Sequence, residues 1–394
     1  MRILSLNFTP KGMGTYLRAF YFSRELARAG HAVTMATVSR TSRFRPLLSY
    51  KRDWIGEADE PRGKGPWVRL IEGPSWGHRF LPGSGWGPLD IWERIRALAF
   101  GDYDAVFGFE YQPNVSWPVY LTQWHKKYAF YSDWCDWFAG SSNRFRGWKL
   151  AHRVDAYFEE AIRFRAQRVS VTSKVLEQRA LAIGIPREKV VYLPNGAPTD
   201  YILPRETREA RRRLRLPGDL PTLVAVSNGD MRREMRIFHE VLRRVPQALF
   251  LIIGRVPPEA LALAEQLALE DRLVRQGWVS DEDYPWALAC ADVCLCPLED
   301  GLNDRARWPA KILDFLTAGR ATVTNPVGEV AALFRSTGVG VLAEHSDEAF
   351  AADLCALLRA PERRRHLGDT ARSVMEREWD WRVRGAQIAG MLPA

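Results

Sequence analysis

The sequence predicts an α/β protein made of two similar halves, each a parallel β-sheet flanked by helices. Short apolar strands alternate with amphipathic helices along the chain, a pattern typical of βαβ units. Each half begins with a strand, a Gly-containing loop and a helix, with the first loop at 7–14 and the second at 227–233. Because the chain has 394 residues, it is long enough for two hydrophobic cores.

Twelve runs have the length and apolar content of strands. In the first half we place strands near 2–6, 33–38, 105–109, 128–131, 169–172 and 190–193. In the second half we place them near 222–227, 248–253, 273–276, 293–296, 321–324 and 340–342. The segment 40–100 contains five tryptophans among Gly and Pro, and we interpret it as a loop-rich insertion that either shapes an acceptor pocket, lies at a membrane surface or packs onto the core.

A cluster of helix- and strand-breaking residues lies between 194 and 204, where Pro194, Asn195, Gly196, Pro198 and Pro204 follow one another closely. We therefore assign residues 1–200 to an N-terminal Rossmann-like domain. The second Rossmann-like domain then spans residues 201–375.

Composition limits the classes of function. The net charge of +9 suits an anionic ligand or an anionic surface, and with the tryptophan content it is compatible with peripheral contact at the inner face of a membrane. The basic residues are dispersed without a recognition motif, so we expect no nucleic-acid partner. No leader or membrane-spanning run stands out, and the cysteine count of five favours reduced thiols, so we expect a cytoplasmic protein. No spacing of His or Cys indicates a metal site.

The segment 303–329 carries the strongest functional signal. Arg305, Arg307, Lys311 and Asp314 lie within about three helical turns, and an apolar strand and a loop containing Val327 and Gly328 follow. Cations neutralise a diphosphate, a carboxylate accepts hydrogen bonds from a sugar diol, and a Gly-containing turn lets a ligand approach the backbone. The segment therefore predicts a site for a nucleotide that carries a diphosphate.

Two Gly-containing loops each follow a predicted strand. Gly12 and Gly14 open the first helix, where backbone N–H groups can hold an anion or hydroxyl groups. Dinucleotide binding is disfavoured, because Leu17 takes the third glycine position and no acid follows the second strand. A tight turn without a ligand explains the same glycines.

The second loop contains Gly229, Arg232 and Arg233, and its arginines enter a helix. This arrangement suits a phosphate clamp, although a solvated helix start has the same composition.

Asp133 and Asp136 come after an apolar strand and are three residues apart, so on a helical turn they share a face. Because ligands bind at the carboxyl ends of parallel strands, we expect one or both to contact a sugar or an acceptor hydroxyl. Capping of the next helix is the alternative.

Four segments in order give the chain a family resemblance. They are the opening MRILSLN with GMGTYLRAFYFSRELARAGHAVTMAT, then VSVTSKVLEQRALAIGIPREKVVYLPNGAPTD, then VRQGWVSDEDYPWALACADVCLCPL, and finally ARWPAKILDFLTAGRATVTNPVGEV. Together they resemble a retaining glycosyltransferase of the GT-B fold and the family-four type (glycosyl transferases group 1). The resemblance implies two Rossmann-like domains facing across a cleft, with residues 376–394 as a C-terminal helix that crosses back to the first domain.

The resemblance also implies roles. Asp314 matches the carboxylate that holds the ribose, as Asp in place of the usual Glu, and Lys311 with Arg232 or Arg233 matches the cations on the diphosphate. Gly12 and Gly14 match the loop that faces donor and acceptor, and Asp133 or Asp136 matches the active-site stretch of the first domain. The family's second acid, eight residues before the ribose carboxylate, is Ala306 here, so the donor sugar does not carry over.

These features predict a metal-independent hexosyltransferase that moves a sugar from a nucleoside-diphosphate sugar to a hydroxyl of a glycan, lipid or small molecule. The nucleotide sugar is a co-substrate, and no cofactor is expected. Catalytic roles are expected for Asp133, Asp136, Arg232 and Lys311. The residues expected to bind the donor are Gly12, Gly14, Gly229, Arg232, Arg233, Arg307, Lys311, Asp314, Val327 and Gly328. Two alternatives stay open, a GT-B sugar-nucleotide epimerase and a catalytically inactive binding protein.

Overall fold

The computed structural model describes residues 1–40, 42–44, 51–53, 67–77, 85–141, 149–227 and 229–393. These residues form two compact units. The first unit comprises Met1–Asn195, Gly301–Trp308 and Trp381–Ala394, and the second comprises Gly196–Asp300 and Pro309–Asp380.

The first unit is an eight-stranded sheet with helices packed on it. Its strands are β1 (Arg2–Pro10), β2 (Ala32–Val38), β3 (Lys51–Asp53), β4 (Val68–Gly73), β5 (Ala105–Phe109), β6 (Ala129–Trp134), β7 (Arg168–Val171) and β8 (Val190–Tyr192). Its helices are α1 (Gly14–Arg28), α2 (Pro88–Phe100), α3 (Pro113–Thr122), α4 (Phe138–Ser141), α5 (Lys149–Phe164) and α6 (Lys174–Ala182).

The strand order in this sheet is β3-β4-β2-β1-β5-β6-β7-β8, and every pair is parallel except β3 with β4. The central strand β5, Ala-Val-Phe-Gly-Phe, is buried along its whole length, as expected for a strand covered by helices on both faces. Chain order reverses between β1 and β5, so the carboxyl ends of these two strands mark the topological switch point of this sheet.

The second unit has a six-stranded, fully parallel sheet. Its strands are β9 (Thr222–Ser227), β10 (Leu249–Gly254), β11 (Leu273–Gly277), β12 (Val293–Cys296), β13 (Thr322–Thr324) and β14 (Val341–Leu342). The helices numbered after α6 are α7 (Thr207–Arg213), α8 (Arg232–Leu242), α9 (Pro258–Gln266), α10 (Tyr284–Ala289), α11 (Leu302–Ala306), α12 (Ala310–Thr317), α13 (Gly328–Thr337), α14 (Asp347–Leu358), α15 (Pro361–Val374) and α16 (Trp381–Ala389). Of these, α11 and α16 belong to the first unit.

The order β11-β10-β9-β12-β13-β14 places the switch point of the second sheet between β9 and β12. Helix α8 shows why the sequence folds this way, since Met235, Ile237, Phe238 and Val241 are buried on its inner side. They pack with Phe250 of β10 and with α14 in one hydrophobic core.

The predicted alternation of strands and helices is present in both units, but the interpretation of 40–100 as a loop-rich insertion was wrong for its described part. Val68–Gly73 forms β4 beside β2, Lys51–Asp53 forms the antiparallel edge strand, and Pro88–Phe100 forms α2. Trp54, one of the five tryptophans of this segment, lies outside the described residues.

Two later segments, Gly301–Trp308 and Trp381–Ala394, belong to the first unit. The predicted boundaries had placed Gly301–Trp308 in the second domain. Residues 301–308 pack with the first unit, where Ala306 is fully buried in the hydrophobic core. The chain returns to this unit at Trp381, which stacks on Tyr21 of α1 at 5.6 Å between ring centroids. Among the described residues, no helix is long and apolar enough to cross a membrane.

Candidate functional site

The second unit gathers several predicted donor-binding residues at the carboxyl end of β9. Lys311 lies on α12, and its Nζ donates a hydrogen bond to the carbonyl oxygen of Val226, 3.2 Å away. The carboxyl of Glu234, at the start of α8, is buried, and burial raises its pKa while Lys311 and Arg233 act in the opposite direction. The ammonium group of Lys311 is therefore held at the switch point, where it can meet an anionic ligand.

The two arginines that begin α8 have different environments. Arg233 is 12% exposed and donates to the carbonyl oxygens of Leu298 (2.9 Å) and His345 (2.8 Å), and it pairs with Asp347. These contacts join the loops that follow β12 and β14. Arg233 therefore has a structural task in this unit, whichever ligand binds.

Arg232 is 56% exposed and pairs with Asp230 at 2.6 Å. This hydrogen bond, together with the nearby charge, lowers the pKa of Asp230. Gly229 is exposed in the same loop, with open space where a Cβ would lie. Of the two predicted diphosphate contacts, Arg232 is the one whose side chain is accessible to a ligand.

Asp314 follows Lys311 by one helical turn and accepts a hydrogen bond from the hydroxyl of Tyr284, with 2.8 Å between the oxygens. Burial raises the pKa of Asp314 to about 7, and the hydrogen bond from Tyr284 partly offsets this. Burial, together with the Asp314 carboxyl, raises the pKa of Tyr284 well above its usual value, so its hydroxyl stays a donor. Near neutral pH the Asp314 carboxyl thus changes its protonation state and its capacity to accept hydrogen bonds.

The predicted loop at Val327 and Gly328 is the start of α13. Gly328 is exposed and has φ +51°, a conformation that favours glycine, while the Val327 side chain is 1% exposed. Any ligand contact here would therefore come from backbone N–H groups at the helix start. The buried side chain of Asn325 fixes this loop, because it accepts from the N–H of Leu298 and donates to the carbonyl oxygen of Ala343.

In the first unit, Gly12 lies exposed between β1 and α1, and the exposed Gly14 is the first residue of α1. Gly12 has φ +87°, and a Cβ there would lie 3.2 Å from Nη2 of Arg40. Gly14 begins α1, and its neighbour Met13 gives that helix no side-chain cap. The loop therefore presents backbone at the switch point of the first sheet, as the predicted contact requires.

Asp133 lies within β6, because the strand extends to Trp134 instead of ending before the two acids. The expectation that Asp133 and Asp136 share a helical face was therefore wrong. The Asp133 side chain is fully buried and accepts two hydrogen bonds of 2.7 Å from Arg18 and one of 2.5 Å from Ser170. Arg18 also donates to the carbonyl oxygen of Leu193 and to the side-chain oxygen of Asn195. The Arg18–Asp133 ion pair therefore connects α1 with β6 and with the residues that follow β8.

Asp136 lies just beyond β6 and is partly exposed. Burial raises its pKa, Arg307 and Arg18 lower it, and Asp133 raises it. Arg307 also forms an ion pair with Asp304 at 2.5 Å. The structure therefore places Arg307 near Asp136 in the first unit, whereas Lys311 and Asp314 belong to the second.

Sequence reasoning missed Glu110, which follows β5 directly. Its Oε1 accepts from the backbone N–H of Cys135 (2.7 Å) and of Asp136 (2.9 Å), while Oε2 accepts from Arg163 at 3.2 Å. Burial raises its pKa to about 7, which Arg163 opposes and Asp136 reinforces. Glu110 therefore fixes the backbone that carries Asp136. The sequence could have indicated Glu110, because it is a carboxylate directly after a parallel strand, which is the criterion that selected Asp133.

A second buried acid supports the same loop. Glu159 of α5 accepts from the indole N–H of Trp134 and from the backbone N–H groups of Phe138 and Ala139. Burial raises its pKa to about 8, and Glu110 acts in the same direction. The loop between β6 and α4 is thus held by two carboxyl groups that titrate near neutral pH.

Glu110, Cys135 and Asp136 have potential ligand atoms within 4.8 Å of one another. The Glu110 oxygens already accept from two backbone N–H groups and from Arg163. Burial, together with the three neighbouring acids, raises the pKa of Cys135 well above its usual value. These groups are therefore poorly prepared as metal ligands, since a thiolate and a free carboxylate are what a metal requires.

Residues 10–201 match the family model described as Glycosyltransferase Family 4, and residues 221–360 match the one described as Glycosyl transferases group 1. Together these two segments account for most of the chain.

A curated relative is the GDP-mannose-dependent alpha-(1-6)-phosphatidylinositol monomannoside mannosyltransferase of Mycolicibacterium smegmatis. It is 28% identical over 235 residues, which cover 57% of this chain and 61% of the relative. The matched region therefore spans about three fifths of that protein's length.

Two solved structures share the fold over nearly the full length of the chain. Sucrose-phosphate synthase from Thermosynechococcus elongatus has a TM-score of 0.76 at 17% identity, covering 99% of this chain and 98% of that one. Anabaena HepE, crystallised with UDP and glucose, has a TM-score of 0.71 at 15% identity, with the same coverage. The predicted GT-B fold class, with two α/β domains built on parallel sheets, is confirmed.

Proposed function

Because the chain belongs to the glycosyl transferases group 1, with a family-four N-terminal domain, we propose that it transfers a sugar from a nucleoside-diphosphate sugar to an acceptor hydroxyl. The observation that supports this most directly is the arrangement of Lys311 beside the end of β9 and Asp314 one turn later. A cation next to a carboxylate at a switch point suits a ligand with a diphosphate and a ribose.

In this proposal the second unit binds the donor. Lys311 and Arg232 neutralise the diphosphate as it leaves, and backbone N–H groups at Gly328 add to the anion site. Asp314 accepts hydrogen bonds from the ribose hydroxyls once its proton is lost, and Tyr284 orients the carboxyl. Loss of the diphosphate builds positive charge on the anomeric carbon, and fixed cations lower that barrier because they are already in place.

The first unit supplies the acceptor side. We assign the direct contact to Asp136, which is partly exposed, and a positioning role to Glu110, which holds the backbone of Asp136. We assign to Asp133, which was predicted as catalytic, a structural role, because its buried ion pair with Arg18 stabilises the packing of this unit. The acceptor is a glycan, a lipid or a small molecule.

The proposed reaction retains the anomeric configuration and needs no metal ion. Retention follows the family resemblance, with a donor phosphate oxygen taking the acceptor proton. The side-chain cations and helix-start N–H groups around Lys311 supply the charge that a divalent cation would otherwise provide. We further propose a cytoplasmic setting with peripheral contact at the inner face of the membrane.

A panel of sugar nucleotides tests the donor site. GDP-mannose belongs in it because the mycobacterial relative is named for that donor, and UDP-glucose because HepE was crystallised with UDP and glucose. We expect one nucleotide sugar to raise the melting temperature of the protein, and Lys311→Ala to abolish that shift. If no nucleotide sugar stabilises the protein, the donor assignment is refuted.

The products of the reaction distinguish the proposed transferase from the two alternatives, an epimerase and an inactive binding protein. A glycosylated product with the donor's anomeric configuration, read by NMR, supports a retaining transferase. Free nucleotide with a changed sugar and no acceptor product indicates an epimerase. Binding without turnover on any acceptor indicates an inactive binding protein.

A further inference from the structure

Helix α5 presents an apolar stripe to solvent. Its inner side is buried, with Ile162 in the core of the first unit and Glu159 holding the loop after β6. Its outer side carries Leu150, Val154, Tyr157, Ala161 and Phe164, whose spacing of four, three, four and three residues places them on one face of the helix. Leu150 is 76% exposed, Tyr157 67% and Phe164 51%.

Helix α3 carries a second stripe of this kind. Trp117, Tyr120 and Leu121 recur at helical spacing, and Trp124 continues the row one turn beyond. Trp124 is 81% exposed and Leu121 is 52% exposed. Both are large apolar side chains, which proteins usually bury.

The two stripes adjoin each other. The guanidinium of Arg165, directly after α5, lies over the ring of Tyr120, 5.2 Å from its centroid. Burial raises the pKa of Tyr120, while Arg165 lowers it and Tyr157 raises it. We call the combined surface the α3–α5 face, formed by Trp117, Tyr120, Leu121, Trp124, Leu150, Val154, Tyr157 and Phe164.

The exposed charges along α5 have one sign. Along α5 and the residue after it, the exposed charged residues whose side chains are described are Lys149, Arg153 and Arg165. Two acids of this helix have partners in the first unit: Asp155 accepts a hydrogen bond from the hydroxyl of Tyr111 at 2.7 Å, and Glu160 forms an ion pair with Arg179. The surface is therefore apolar and cationic, with aromatic rings among the cations.

The combination of apolar side chains and cations on the α3–α5 face indicates which partner it binds. A second copy of the chain would bring the same arginines against one another, and the net charge of +9 adds to that repulsion. An anionic bilayer instead provides an apolar layer for the aliphatic side chains, an interface that Trp and Tyr favour, and phosphates for Arg and Lys. Charge complementarity thus favours lipid over self-association.

We propose that the α3–α5 face docks the protein onto an anionic bilayer surface, with Trp124, Tyr157 and Phe164 entering the headgroup region. This deepens the peripheral membrane contact of the proposed function and rests on it. Docking through the first unit, which carries the proposed acceptor side, favours a lipid-borne acceptor presented at the same surface.

Vesicle co-sedimentation tests the proposal on the full chain. We expect binding to vesicles that contain phosphatidylglycerol, weak binding to phosphatidylcholine alone, and release at high salt. Tyr157→Glu should weaken binding at least about tenfold, and Arg153→Gln about fivefold, since each basic residue near an anionic surface adds measurably to affinity. Trp278→Glu, at a 60% exposed tryptophan of the second unit, is the matched control and should bind like the original protein.

Two results would overturn the proposal. One is vesicle binding that is absent, or unchanged in Tyr157→Glu. The other is a dimer in sedimentation velocity without lipid that Tyr157→Glu dissociates, because the face would then be covered by a second copy. Stabilisation by the donor, measured without vesicles, must persist in Tyr157→Glu, so that failure of docking is distinguishable from failure of the proposed function.

Discussion

Replacing Asp133 distinguishes its structural role from the catalytic role that the sequence suggested. In Asp133→Ala, the Arg18 guanidinium stays buried at 3% exposure but loses both of its charged hydrogen bonds. Only the uncharged acceptors of Asn195 and Leu193 remain among its described partners. Among the described residues, the cation then has no carboxylate left to which it is hydrogen-bonded.

The magnitude follows from the burial of both partners. Removing one side of a buried ion pair costs about 3–5 kcal/mol, because the other charge stays desolvated. For a unit of this size, each 1 kcal/mol shifts the melting temperature by about 2–4 °C, so we expect a decrease of roughly 6–20 °C. Arg18→Met combined with Asp133→Leu should recover much of this loss, since no unpaired charge remains.

Hydrogen exchange read by mass spectrometry is a suitable assay, because it follows each unit separately. Peptides from β6 and β7 should lose protection in Asp133→Ala, while peptides from β9 and β10 serve as an internal reference. Asp136→Ala is the matched control, since it removes a partly exposed acid and should keep stability while lowering transfer. A stable Asp133→Ala protein that has lost transfer would refute the structural assignment.

Three further predictions concern the donor site. Lys311→Ala should reduce the rate of transfer about a hundredfold or more with little change in melting temperature. Lys311→Arg keeps the charge and should retain more activity. Full activity in Lys311→Ala would refute the role of Lys311 at the leaving group. Affinity for the donor should rise about tenfold between about pH 6 and pH 8, because the Asp314 carboxyl, with a pKa of about 7, accepts ribose hydrogen bonds once ionised. Calorimetry should show this dependence disappear in Asp314→Asn, and an unchanged pH profile in that variant would contradict the ribose contact. EDTA should leave transfer intact, and loss of activity that Mg²⁺ or Mn²⁺ restores would reveal a metal requirement.

Fold prediction succeeded where burial dominates the sequence pattern. Strands such as β5 and β10 are uninterrupted apolar runs because helices cover both faces, so length and composition identify them. Strand β4 was missed because Arg69 and Glu72 interrupt it and Gly, Pro and Trp surround it. Its pairing with β2 comes from the sheet, which local pattern does not encode.

Local spacing in the sequence brings neighbouring candidate residues together, but it does not reveal their long-range partners. Lys311 and Asp314 lie one turn apart on α12, so sequence alone placed them together. The partner of Asp133 is Arg18, separated by 115 positions, and that of Asp314 is Tyr284, separated by 30. Such pairs depend on tertiary packing, and the charge of Arg18 inside α1 gave no local indication that it is buried.

The position of Ala306 shows why the donor sugar is not read from the family pattern. Its side chain is fully buried in the core of the first unit, and its carbonyl oxygen accepts a hydrogen bond of 2.7 Å from Ser173, the N-cap of α6. A carboxylate there would be desolvated among apolar side chains, which is unfavourable for an acid at this position. Arg307, the next residue, pairs with Asp304 and acts on the charge of Asp136. Sugar recognition in this chain therefore has to come from groups outside the usual carboxylate, which is why the donor must be found by a panel of nucleotides.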